Sequence, residues 1–95
     1  MSKKEAYQEK IEAQLEKLDA RINLLKAKAQ EATADAKIEY NERLEDLRSR
    51  QAEVRSRLQE LSEAGEEAWE EFKSGVDEAV DDLEDAVSGA VAALD

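Results

Sequence analysis

Carboxylates and guanidiniums are the reactive side chains this sequence offers in number, and their spacing decides what they can do. Asp77, Asp81 and Asp85 recur four residues apart, so on a helix they form one acidic row that could attract calcium. A calcium site also needs a tight loop with backbone carbonyls, so the row reads as a solvated face. Arg48, Arg50, Arg55 and Arg57 could make a stripe for nucleic acid. Acids interleave with them, however, and Glu39–Arg43, Asp46–Arg50 and Glu53–Arg57 are acid-to-base pairs four apart. In that orientation each pair supports its own helix by about 0.2–0.5 kcal/mol. Gly75 and Gly89 belong to no phosphate-binding motif. Histidine and cysteine are absent, which removes the commonest general base, the thiol nucleophile and the usual zinc, haem and iron–sulfur ligands. The expectation is a non-enzymatic protein with no catalytic residue, cofactor or metal.

The charge is unevenly spread. Residues 1–65 carry 13 basic and 14 acidic groups, whereas residues 66–95 set Lys73 against 11 acids, so the second segment supplies −10 of the net −11. Such a segment repels phosphate backbones, which disfavours nucleic acid, and helps to keep a helix in solution. It could also serve as an interaction segment for a basic partner. The opening MSKKEAYQEK lacks the apolar core of a signal peptide, and no window reaches a membrane span, so a cytoplasmic location is expected.

The elements that would carry these groups are helices. Proline is absent, glycine occurs three times, and Ala, Glu, Lys, Leu, Arg, Gln and Asp dominate. Ser2 and Glu5 have capping-box spacing, so helix should start at residue 3. Ile11, Leu18, Leu25 and Ala32 form one seven-residue series, and Leu15, Ile22, Ala29 and Ala36 form another; together they make the a/d seam of a coiled coil. The seam thins to alanine over residues 27–37. Thr33 and Asp35 could cap a turn there, but with no Gly or Pro the reading prefers unbroken helix, with a four-residue stutter through Tyr40, Leu44 and Leu47. Heptads continue through Val54 and Leu61 and through Gln51 and Leu58, where Gln51 reads as a polar register device.

At SEAGEEAWEEF (62–72) the period changes to eleven. Ala68, Ala79 and Ala90 align, as do Trp69, Val80 and Val91, then Phe72, Leu83 and Leu94, then Val76 and Val87. At 3.67 residues per turn this stripe scarcely winds, as suits a straight second helix. Gly65 is the expected hinge, read as a left-handed C′ residue closing the first helix. The fold class is therefore all-α. Residues 1–64 form a long heptad-patterned helix and residues 65–95 a shorter acidic one, in an antiparallel helical hairpin that oligomerises. The alternative is a three-helix bundle with an extra turn near residue 34.

At the level of whole-chain pattern the sequence resembles a family of small bacterial coiled-coil stress-response proteins. The resemblance lies in SKKEAYQEKIEAQLEKLDARI, ADAKIEY and AGEEAWEEF with the acidic repeats that follow. It implies a stress context and no catalytic residue. Residues 57–95 also resemble, more weakly, the 11-residue amphipathic repeats of apolipoprotein-like and desiccation-associated proteins.

A short helix covers at most half of a long one, so the uncovered seam should recruit a second copy. The expected role is a self-associating structural or interaction protein, with another helical protein as a further partner. The interface residues would be Ile11, Leu15, Leu18, Ile22, Leu25, Leu47, Val54, Leu58, Leu61, Trp69, Phe72, Val76, Leu83 and Val87. Alternatives are reversible association of residues 66–95 with a lipid surface, which their acidity opposes, and chaperone-like binding of a client helix.

Overall fold

The computed structural model describes residues 2–94 and contains three helices: α1 (Lys3–Glu31), α2 (Ala34–Glu63) and α3 (Glu70–Leu94). The all-α fold takes the bundle form of the expected alternatives. Each helix packs against both others, in a rod of 52 × 19 × 18 Å. Lys4 meets the end of α2, Tyr7 the start of α3, and Tyr40 its end. The course is therefore up, down and up, with α1 and α3 parallel.

Two local expectations are corrected. The preferred unbroken helix through residues 33–35 does not form: Ala32 and Thr33 are both extended, with ψ 163°, and they reverse the chain. Thr33 Oγ1 accepts from the Ala36 N–H at 3.4 Å and caps α2, while the Ala32 N–H bonds the Ala29 carbonyl at 3.3 Å. A chain of small residues needs no glycine to turn when packing the two halves together buries the seam. The stutter is thus the start of a new helix, and the single helix expected over 3–64 is two helices of 29 and 30 residues.

At the second break the expected left-handed Gly65 is absent, since no described glycine has positive φ. The α2 helix stops at Glu63, and the Gly65 carbonyl accepts from the Ala68 and Trp69 N–H groups, opening a turn that leads into α3 at Glu70. Gly65 thus starts the next turn rather than closing the previous helix.

These backbone states separate the glycines. A Cβ on Gly89 would touch nothing within 4 Å, so Gly89→Ala should stabilise the bundle by about 0.5–1 kcal/mol through helix propensity. Gly65→Ala, also in open space at negative φ, should change stability by less than about 1 kcal/mol. Urea denaturation reads both values. A gain at Gly89 with a larger loss at Gly65 would reinstate the left-handed hinge.

Candidate interaction surface

The heptad residues expected at an interface are the core of the single chain. Ile11, Leu15, Leu18, Ile22 and Leu25 on α1 are buried with Leu47, Val54 and Leu61 on α2 and Val76, Leu83 and Val87 on α3. Val54, Leu61, Val76, Leu83 and Val87 are 0% exposed, and Leu58 is half-buried against the cluster. The uncovered seam that motivated recruitment of a second copy is therefore covered by α3. The cover suffices because the turn at residues 32–33 makes all three helices similar in length.

The eleven-residue columns explain how α3 does this. Val76, Ala79, Val80, Leu83, Val87 and Ala90 all face inward, so the stripe that suggested a lipid surface is spent on α1 and α2. Burying a large aliphatic side chain contributes roughly 1.5–3 kcal/mol, which holds α3 down despite its charge.

Polar clasps fix the register. Lys4 Nζ donates to the Ser62 carbonyl at 2.8 Å and the Ala64 carbonyl at 2.6 Å, filling the open carbonyls at the end of α2. Halfway along the rod, Gln51 and Arg55 of α2 both donate to Asp19 of α1, the arginine at 2.9 Å. Gln51 thus commits its amide to a contact within the chain. Tyr7 and Tyr40 pin the two ends of α3. The Tyr7 hydroxyl donates to the Asp77 carboxylate, with the Lys73 carbonyl at 3.2 Å, and the Tyr40 hydroxyl donates to the Leu94 carbonyl at 3.1 Å. Burial, then the Asp77 hydrogen bond and charge, pushes the Tyr7 phenol well above its ordinary value. Lys73 lies 5.3 Å from the Tyr7 ring centre, and Trp69 packs on the same ring at 5.8 Å.

With its stripe turned inward, α3 presents acids to solvent. Residues 70–94 hold Glu70, Glu71, Asp77, Glu78, Asp81, Asp82, Glu84 and Asp85 against Lys73, and all of these are exposed. Among the described residues no group of three or more carboxylates is gathered as a metal ion would require. Asp77, first of the suspected calcium row, is held by Tyr7.

Phe72 is the departure from the repeat. It shares a column with fully buried Leu83, yet it is 37% exposed, and Trp69, 5% exposed, fills the core at this end. Phe72 is placed third in α3, beside the turn, and it lines an open groove of about 460 Å³ between α2 and α3 with Glu53, Glu60, Glu71 and Arg57. Arg57 crosses the groove, bonding Glu53 at 2.7 Å and the Gly75 carbonyl at 3.1 Å. No ring partner from the chain lies over Phe72 among the described residues. The groove thus joins a half-exposed aromatic face to three carboxylates. An aliphatic cation, with an apolar stem and a charged head, suits both.

Compared with models of known protein families, with curated proteins and with solved structures, the chain matches none.

Proposed function

We propose that the chain is a non-enzymatic interaction module. It folds on itself and offers the acidic face of α3, with the Phe72 groove beside it, to a basic helical partner. The carrying observation is the division of labour within α3: apolar positions turned inward, carboxylates turned outward, and one large ring left half in solvent. Opposite charge would speed encounter with a Lys/Arg-rich helix, and insertion of a basic side chain over Phe72 would give the contact its specificity. The stress setting implied by the resemblance is taken into this proposal as its physiological context.

Fluorescence anisotropy with a labelled Lys/Arg-rich amphipathic peptide tests it. Binding at low salt that weakens with salt and falls about tenfold or more in Phe72→Ala supports the module. Absence of binding, or binding indifferent to Phe72, removes it.

Self-association is the second reading. In this arrangement it would use a surface other than the seam, and among the described residues Leu24 at 59% exposure, Ile38 at 63% and Phe72 are the large apolar side chains available for it. Light scattering over a concentration range separates the two readings. A constant single-chain mass favours the first, and a mass rising to two chains favours the second.

A further inference from the structure

We propose that the groove between α1 and α2, beside their connecting turn, binds a small phosphorylated anion. The recess is about 240 Å³ and is lined by Lys26, Gln30, Lys37, Asn41 and Arg48, with Ala29 at its base. Three cations and two amides converge there with no carboxylate in the lining, in a chain whose net charge is −11. The site stands apart from the acidic surface of α3 and does not depend on that surface's role.

The surroundings make this grouping unusual. Four of the five arginines of α2 hold an acid: Arg43 pairs with Glu39, Arg50 with Asp46, Arg55 with Asp19 and Arg57 with Glu53. Arg48 pairs with none among the described residues. Lys26 has Ile22, Asn23, Ala29 and Gln30 at the positions three and four away, and Lys37 has Thr33, Ala34, Tyr40 and Asn41. Neither lysine can find a counter-charge on its own helix. Lys10, Lys17 and Arg21 are likewise without an ion pair among the described residues, so what sets Lys26, Lys37 and Arg48 apart is that they line one recess with no carboxylate in its wall.

Of the acids near this end, Glu31, Asp35, Glu39, Glu42 and Glu45 stand on α1 and α2 outside the lining of the recess. The Tyr40–Leu94 hydrogen bond brings the end of α3 to this end of the rod. The acids of α3 stop at Asp85, and residues 86–94 carry no charge. The acids of α3 therefore lie toward its middle and its other end.

The donors also define the ligand class. Lys26 and Gln30 are four apart on α1, and Lys37 and Asn41 are four apart on α2, so each wall supplies one ammonium and one amide. Arg48 adds a planar fork suited to paired phosphate oxygens, while the lysines act as point charges. Amide N–H groups can take further phosphate oxygens, and amide carbonyls can accept from a ligand hydroxyl. Five such groups around a recess of this size fit a multiply charged phosphate or diphosphate on a small body.

Nuclear magnetic resonance titration of the full chain with inorganic pyrophosphate at low ionic strength tests the site. Saturable shifts are expected at Lys26, Gln30, Lys37, Asn41 and Arg48. Arg48→Gln should weaken binding about 10–100-fold, the loss of a hydrogen-bonded charge, and the combined Lys26→Gln, Lys37→Gln and Arg48→Gln variant should abolish it. All three side chains are exposed, so circular dichroism of the variants should stay that of the parent. Vesicles bearing phosphatidic acid form a second arm. Capture dependent on the same three cations assigns the site to a lipid headgroup, and pyrophosphate shifts without vesicle capture assign it to a free anion. Shifts spread equally over Lys10, Lys17 and Arg21, shifts surviving in the combined variant, or no response in either arm would overturn the proposal.

Discussion

Leu83→Ala is expected to lower the unfolding free energy by about 2–5 kcal/mol, the range for truncating a buried leucine. Leu83 is 0% exposed, lies midway along α3 and belongs to the one cluster that joins all three helices. Small domains have roughly 5–15 kcal/mol in total, so this one side chain can remove a third or more of the stability. Phe72→Ala provides the internal control because it occupies the same column of the repeat. With 37% of its surface in water it should cost about 1 kcal/mol or less. Denaturant midpoints of the two variants measure the contrast. Equal losses would mean that the column is buried uniformly and that Phe72 is not available to a partner.

The second large effect is expected from ending the chain at Ala64. That cut removes Val76, Leu83 and Val87 from the core, together with the Tyr7 and Tyr40 clasps, and leaves α1 and α2 with an uncovered apolar edge. Two helices joined by a two-residue turn bury too little to stand alone, so the heptad pattern should then recruit what α3 had supplied. The fragment is expected to lose the cooperative single-chain transition and to be helical only where it associates, at a mass of two fragments or more. Light scattering and circular dichroism over one concentration series report both. A monomeric fragment melting as sharply as the full chain would show that α3 is an accessory rather than the third wall.

Both expectations rest on features legible in the sequence. The large apolar side chains of the heptad series from Ile11 to Leu61, Leu58 excepted, and the eleven-residue columns from Val76 to Val87 mark positions that are buried, because apolar periodicity records which face leaves water. The start of α1 at Lys3 was readable from Ser2 for a similar reason: the capping group is local, and its Oγ accepts from the Glu5 N–H at 3.1 Å. The turn at Ala32–Thr33 is only half legible in the sequence. Its cap is visible in Thr33, but no glycine or proline stands near it, and what bends the chain is the area gained when α1 and α2 meet. That gain is tertiary, and local propensity does not contain it.

That turn also bears on the argument for a second copy. A long rod with a short cover has a bare half, whereas three rods of similar length have none, and the case for a second copy came from the bare half. Phe72 shows the limit of the repeat in miniature. The column places it with Leu83, but the helix begins only at Glu70, and Trp69 with Tyr7 already occupies the core there. The cross-helix contacts of Lys4, Asp19 and Arg55 gave no periodic signal, since each depends on a residue brought from another helix. No acid stands three or four positions from Lys26 or Lys37, but Lys10, Lys17 and Arg21 share that feature, so the sequence does not single out the groove.

Small-angle X-ray scattering of the full chain tests most directly whether one molecule covers its own seam. The bundle predicts a single-chain mass of 10.7 kDa and a particle about 52 Å long, with a backbone radius of gyration near 15.4 Å before hydration is added. A continuous helix over residues 3–63 would give a longest dimension of about 90 Å. That length, whatever the mass, would contradict the account.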